Sequence, residues 1–564
     1  MRSRNPKLTR REFGRLLGCA SLTPMIPRLF ASPPVGPIQF HNAAPANGLD
    51  FVLRNDARGR KYQVETVLGG IGVIDFDADG WPDLYCVNGA ALPSLQKNDP
   101  KFFNRLYRNN RDGTFTDVTQ TARVQGHGYE MGVAVGDYNN DGFEDLYVVG
   151  VHGNTLYRNN GDGTFTDVTQ AAGVSGANSS GHRLWSVAAA WLDYDKDGHL
   201  DLIVSNYCDW TPGEDPVCGG LNDADRAYCH PDNYRAERML LYHNNGDGTF
   251  TEVSAAAGLG KLFGKGMGIS IADYDCDGFP DIFIANDNDR NLLIHNLGGG
   301  KLKEVGMEAA VAYNGDGRQI SGMGSDFRDF DGDGLPDILM TGLRGETFEL
   351  FRNNGKGGFD DASASSNLLG MSRPWSGWSC GFADFDNDGR LDIFVACGGL
   401  DTNEPQPNRV LRNVGGRFED VSAGVGSDFA VSRVHRGAAF ADFDNDGRID
   451  VAVSSINGPV ELWMNRSPMQ HWLQLKLKGT RSNGSALGAK VICRGGQRTQ
   501  LSFVANSMGY GCTSDSRVHF GLADERKVSL EIHWPSGTVQ ELKDVVCDQL
   551  LSVQEPPPQK PAKQ

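Results

Sequence analysis

Asp75-Phe-Asp77-Ala-Asp79-Gly80-Trp-Pro-Asp83 is the stretch that decides how this 564-residue chain is read. The same nine-residue pattern starts again at Asp137, Asp193, Asp273, Asp329, Asp384 and Asp442. Every copy places an oxygen-bearing side chain at loop positions 1, 3, 5 and 9 and a glycine at 6. The later copies are Asp137, Asn139, Asp141 and Asp145; Asp193, Asp195, Asp197 and Asp201; Asp273, Asp275, Asp277 and Asp281. They continue with Asp329, Asp331, Asp333 and Asp337; Asp384, Asp386, Asp388 and Asp392; Asp442, Asp444, Asp446 and Asp450. Asn139 is the sole side-chain variant, and it too offers an oxygen.

Alternate carboxylates in a tight turn suit calcium, a hard cation that takes six to eight oxygen ligands. Glycine at position 6 permits the bend. A backbone carbonyl at position 7, as at Trp81 or Phe143, can add a further oxygen. The pattern predicts up to seven calcium ions. A helix–loop–helix calcium hand requires a Glu at position 12. Here that position holds Cys86, Val148, Val204, Ile284, Met340, Val395 and Val453. The flanks, such as Met131 to Gly136 and Asp281 to Ala285, are β-rich apolar runs that read as buried strands. Seven turns with the same four oxygens are more than soluble acidic turns, since unliganded carboxylates so crowded would repel.

The first aspartates are 62, 56, 80, 56, 55 and 58 residues apart, a strand-only repeat of propeller period. Between loops, Leu106-Tyr-Arg-Asn-Asn-Arg-Asp-Gly-Thr-Phe-Thr-Asp-Val118 recurs at Leu156 to Val168 and Leu241 to Val253, and more weakly at Leu350 to Asp361. Asp-Gly between two strand-like runs marks a hairpin. Two strands around each loop and two around each hairpin make a four-stranded blade. The last copy, Val460 to Asn465, lacks its Phe-Thr-Asp-Val strand, whereas Ile38 to Ala44 looks like that strand. The expectation is an all-β fold: a seven-bladed β-propeller over 38–466, closed by the N-terminal strand, rather than an open solenoid. A small all-β domain over 469–555 and a Pro-rich tail over 556–564 follow.

The formal net charge is −17. Residues 1–31 carry seven Arg or Lys and one Glu, so removing their +6 leaves −23, and seven divalent ions would bring that to −9. This acidity argues against a nucleic-acid partner, which favours a basic footprint. Thr9-Arg10-Arg11-Glu12-Phe13 resembles a twin-arginine export motif, with an apolar stretch to Phe30 and cleavage near Ala31. Leu16 to Cys19 resembles a lipoprotein box only faintly. The expected location is periplasmic, cell-surface or extracellular. No run of 18 apolar residues predicts a spanning helix. Of the eleven cysteines, ten follow the leader, and Cys218–Cys229 is the preferred disulfide because both sit in a turn-rich insertion of the 80-residue interval. Cys493, Cys512 and Cys547 offer a second pair.

From His471 the pattern becomes strict alternation, Trp472-Leu-Gln-Leu-Lys-Leu-Lys478, as in a half-buried strand. Further strand-like runs are Ala489–Cys493, Thr499–Phe503, Val518–Phe520, Val528–Trp534 and Val539–Leu542. The loops resemble FG-GAP/VCBS repeats, as in the integrin α-subunit propeller. Gly479 to Asn483, Leu487 to Val491, Gly509-Tyr510, His519 to Leu522 and Trp534 to Gly537 resemble the ASPIC/UnbV domain. The pairing is similar to the cartilage acidic protein family and its bacterial relatives, and the leader suggests a bacterial member. That resemblance implies a secreted calcium-binding protein of mostly undefined activity; seven metal loops without a recognisable catalytic constellation make the expected function a binding or adhesion module for a protein or glycan.

No Gly-x-Ser-x-Gly, phosphate loop or His-Glu-x-x-His motif is present. Residues just ahead of the inner strands, Glu65, Glu130, Arg183, Lys265, Gln319, Trp375, His435 and Arg436, come from different blades. Gathered at one channel mouth, Glu130, Arg183, Lys265, His435 and Arg436 would form a ligand site. The alternative function is therefore an enzyme or biosynthetic accessory, a reading the resemblance keeps because the domain shares its name with an enediyne-biosynthesis protein. A solvated channel lined by mutual salt bridges is the simpler reading of the same residues.

Overall fold

The computed structural model describes residues 36–177, 181–220, 222, 225–401 and 404–557. The export motif, the cleavage site and the end of the Pro-rich tail lie outside the described residues.

Each acidic loop joins the first two strands of a sheet whose core is four antiparallel strands. The second sheet is representative, with strands Glu130–Gly136, Asp145–Gly150, Thr155–Asn159 and Phe165–Asp167. Its first two strands are buried throughout, because each lies between neighbouring sheets, so both faces select apolar or small residues. The outer strand alternates, with Phe165 buried and Thr166 and Asp167 exposed. Seven such sheets carry the seven loops among the described residues. Their first strands neighbour one another in chain order, and Ile71–Ile74 of the first also lies against His435–Ala441 of the last.

The last sheet takes its outer strand from the beginning of the chain. Phe40–Asn42 pairs antiparallel with Glu461–Asn465, Phe40 opposite Asn465 and Asn42 opposite Trp463. This exchange fastens the ends of the repeat and leaves no open edge there.

A side chain ties each sheet to the one before it. Asn159 donates Nδ2 to the carbonyls of Glu144 in its own sheet (3.1 Å) and Phe76 in the preceding sheet (2.8 Å). Asn244, Asn296, Asn353, Asn413 and Asn465 repeat the bond to the preceding sheet at Tyr138, Tyr194, Tyr274, Phe330 and Phe385. Asn109 of the first sheet reaches Phe443 of the seventh at 2.8 Å. The circuit therefore closes through side chains as well as through the exchanged strand.

The long interval between the third and fourth loops carries an insertion stapled by Cys218–Cys229, with an S–S distance of 2.06 Å. The second pair expected among Cys493, Cys512 and Cys547 does not form; all three are buried thiols. Cys512 instead belongs to a hairpin that enters the ring, where its Sγ accepts from the Ile71 amide at 3.4 Å.

That hairpin belongs to the C-terminal domain. The domain has one sheet of Val518–Ala523, His471–Lys478 and Gln549–Gln554, and another of Arg498–Phe503, Lys490–Gly495, Lys527–His533 and Val539–Val546. Its core residues Leu473, Val491, Phe520 and Trp534 run into the same apolar cluster as Tyr138 and Trp191 of the ring. Between its strands, Asn506 to Ser514 reaches in among the inner strands. Gly509 exchanges backbone hydrogen bonds with Ser325, Gly511 accepts from Val133, and Thr513 pairs with Gly72. Tyr510 is fully buried edge-on to Trp378 and donates to the Val67 carbonyl. A Cβ at Gly509, where φ is +75°, would meet Ser379 Oγ at 2.2 Å. Only glycine fits that approach.

Candidate metal centres

In each loop the backbone and the carboxylates hold one another. Asp137 accepts from the amides of Asp141 (3.0 Å) and Gly142 (2.9 Å). Asp141 in turn accepts from Phe143 at 3.0 Å. Position 4 is left-handed, as at Asn140 (φ 57°), and so is the glycine at 6, as at Gly142 (φ 94°). Two such residues wind positions 1, 3 and 5 to the same side, which is the reason for glycine and for the frequent Asn at position 4.

Position 9 is a buried bracket. Asp145 accepts from Asn159 N at Oδ1 (2.7 Å) and from Tyr138 N at Oδ2 (3.2 Å). The same pair of bonds recurs at Asp83, Asp201, Asp281, Asp337, Asp392 and Asp450. All seven are at most 1% exposed. The recurrent asparagine of the Tyr-Arg-Asn-Asn segment therefore braces the loop with its amide and the preceding sheet with its side chain.

Burial of so many carboxylates costs free energy unless positive charge compensates it. Burial pushes Asp137, Asp193, Asp273 and Asp329 up to about 6 and Asp442 up to about 7. It drives Asp337 to about 8 and Asp201 to about 9, and Asp83, Asp145, Asp392 and Asp450 well above the carboxylate range. Neighbouring aspartates add to the rise in each of these loops.

Ligand oxygens of Asp75, Asp77 and Asp83, and likewise of Asp193, Asp195 and Asp201, lie within 4.8 Å of one another. At position 3, Asp195 Oδ1, Asp386 Oδ1 and Asp444 Oδ1 are buried without a hydrogen-bond partner. Orphaned anionic oxygens at the same place in three loops fit a bound cation, and an all-oxygen donor set fits a hard one. Basic side chains balance only part of the charge: Arg111 on Asp79 (2.5 Å), Arg352 on Asp331 and Asp333, Arg412 on Asp386 and Asp388. In the third and fourth sheets His243 and His295 take the place of these arginines, with His243 Nδ1 3.2 Å from Asp201 and His295 Nδ1 3.0 Å from Asp281.

The C-terminal domain docks on the loops themselves. Lys476 pairs with Asp75 at 2.9 Å and Gln474 Nε2 donates to Asp442 Oδ2 at 2.9 Å. Gly484 N donates to Asn140 (2.7 Å), Gln470 to the Asp386 carbonyl (2.6 Å), and Arg517 to Asn445 (2.7 Å). Trp472 packs so closely on Gly447 that a Cβ there would lie 1.9 Å from its ring. No spacing in the sequence announces this docking.

The residues expected at a channel mouth are held by separate neighbours. Glu130, 3% exposed, pairs with Lys97 at 3.2 Å. Arg183 is exposed and donates to the His152 carbonyl, and Lys265 sits 3.6 Å from Asp232. His435 is fully buried against Glu461 at 3.1 Å. Arg436, also fully buried, lies 3.7 Å over Trp378 and donates to the carbonyls of Thr66, His435 and Gly399. Glu65 accepts from Tyr228 of the disulfide-stapled insertion at 2.9 Å. The insertion reaches two of these positions, through Tyr228 at Glu65 and Asp232 at Lys265, and the others are tied to neighbours elsewhere.

The FG-GAP-like repeat model matches residues 75–148, 137–204, 227–284, 273–340 and 329–395; four of these windows run from one loop through the next, and 227–284 spans the fourth loop alone. The ASPIC and UnbV model matches 479–560. The chain belongs to the FG-GAP-like repeat proteins, and it carries an ASPIC and UnbV domain. Its relatives include cartilage acidic protein 1 of Mus musculus, 26% identical over 86% of this chain and 73% of that protein. The Homo sapiens protein is 26% identical over 86% and 71%. The Xenopus tropicalis protein is 30% identical over 51% of this chain and 44% of its own length. Among solved structures, an Agrocybe aegerita lectin covers 63% of this chain and 79% of its own at TM-score 0.38 and 18% identity. YCF48 bound to D1 peptide covers 74% and 98% at TM-score 0.39 and 9% identity. Among the described residues no helix is long and apolar enough to cross a membrane.

Proposed function

We propose that this protein is an exported, calcium-loaded interaction module. Calcium ions held by the loops fix the ring and the platform on which the C-terminal domain sits. One observation carries the reading: in every loop the position 9 aspartate is buried, and three position 3 oxygens are buried without a hydrogen-bond partner. Asp, Asn and backbone oxygens are the ligands calcium prefers. The ion supplies positive charge, and the chain's own residues do the rest. Position 1 fixes the turn, position 9 ties it to the second and third strands, and the arginines limit repulsion at the outer oxygens. The twin-arginine-like leader and the relationship to cartilage acidic protein 1 support export.

Binding to the folded state alone stabilises it by mass action, about 2.7 kcal/mol at a hundredfold excess over Kd for a single site. The thermal midpoint is expected to fall sharply in chelator, to recover with Ca²⁺ and to recover poorly with Mg²⁺, which demands a tighter octahedral site. A melting curve indifferent to chelator would refute the reading.

A further inference from the structure

The fifth and sixth loops face the docked domain across a gap. Loop residues Asp329, Asp331 and Asp384 form one wall of a cleft of about 380 Å³, and Gln497 to Ser502 of the C-terminal domain form the other. That volume falls in the range of small-ligand sites.

Four ion pairs within the protein engage ionic groups of the cleft, Asp329 and Asp384 belong to the metal loops, and Arg498 donates to the Asp388 carbonyl. Arg328 pairs with Asp326 (3.3 Å), Arg390 with Asp388 (2.8 Å), Arg517 with Asp515 (2.5 Å) and Asp331 with Arg352 (2.5 Å). Neutral hydrogen-bonding capacity remains beside them. Gln474 lines the cleft, is 2% exposed, and spends Nε2 on Asp442 while its Oε1 has no partner. A buried acceptor without a donor is costly unless a ligand or water satisfies it. Thr499 adds a hydroxyl on the opposite wall, and the rings of Phe382, Phe440 and Phe520 supply apolar surface. The strand Arg498–Phe503 pairs on one side only. Arg498 already reaches the Asp388 carbonyl and Gln500 the Gly521 carbonyl, so side chains bridge that flank against an added peptide strand.

Neutral donors and acceptors beside aromatic rings suit a polyhydroxylated ring that is polar at its rim and apolar on its C–H face. We propose that this cleft binds a neutral saccharide of one or two residues, with Gln474 and Thr499 addressing its hydroxyls. The proposal deepens the interaction-module reading and rests on it, while leaving the calcium reading independent.

The full chain, with and without calcium, is titrated with lactose, maltose, N,N′-diacetylchitobiose and an uncharged acetylated Thr-Val hexapeptide, by calorimetry and saturation-transfer NMR. At least one disaccharide is expected to bind, with Gln474→Leu and Thr499→Trp each weakening it by about tenfold or more. Gln474→Leu also removes a donor to Asp442, whereas Thr499 is exposed, so Thr499→Trp fills the cleft without touching the loops. Binding of none of the disaccharides, binding of the hexapeptide alone, or unchanged affinity in Thr499→Trp would each overturn the proposal. A calcium-dependent melt with no saccharide bound sinks this inference alone. Saccharide bound to a chain whose melt ignores calcium sinks the metal reading instead.

Discussion

At the scale of single residues, the buried position 9 aspartate is the least replaceable group in each loop. Asp145→Asn keeps size and one acceptor but turns an NH₂ donor toward either Asn159 N or Tyr138 N. A loss of about 1–3 kcal/mol is expected in urea unfolding, together with one calcium fewer per chain. The raised carboxylates also set a sign for pH. For Asp137, Asp193, Asp273 and Asp329 the folded value of about 6 exceeds the ordinary 3.8. Across that window the metal-free folded state binds more protons than the unfolded state, so its stability falls as pH rises and grows as pH falls. The chelated protein is expected to melt higher at about pH 5 than at about pH 7.5, and the calcium-loaded protein lower, because protons then compete with the ion. A chelated protein that loses stability on acidification over that range would contradict this. The four oxygens and the glycine of each loop were legible in the sequence, since local spacing alone winds them together. The bracing role of Asn109 and its six counterparts was not. Their recurrence is visible, but their acceptors are backbone carbonyls, which carry no side-chain signature.

At the scale of elements, strand alternation and the Asp-Gly hairpins gave the four-stranded sheets, and the missing outer strand of the last sheet pointed to Phe40–Asn42. The hairpin Asn506–Ser514 escaped such reading. Its two strands, Ser507–Met508 and Cys512–Thr513, are too short for any periodicity, and they exist because the inner strands offer them backbone partners. Gln549–Gln554 was missed as well; it pairs in parallel with His471–Lys478, a partner far away in sequence. Tyr510 fastens the hairpin. Tyr510→Ala removes a fully buried ring and is expected to cost about 3–5 kcal/mol. Tyr510→Phe loses only the bond to Val67 and is expected to cost about 1 kcal/mol. Chemical denaturation of both variants measures the difference; equal costs would mean that ring packing against Trp378 does not hold the hairpin.

At the scale of the whole molecule, ring, loops and C-terminal domain form one cooperative arrangement. The domain enters the ring with one hairpin and rests on the loops with its sheets, so each loop's conformation bears on docking. The residues expected at one channel mouth, Glu130, Lys265 and His435, each have a separate ionic neighbour, Lys97, Asp232 and Glu461. The central claim is that the recurrent aspartates hold calcium, and the most direct test is the metal content of the full chain. Protein freed of metal, dialysed against buffered calcium and analysed by inductively coupled plasma mass spectrometry is expected to carry several calcium ions per chain, up to seven. Calcium no higher than in the dialysis buffer would contradict the account.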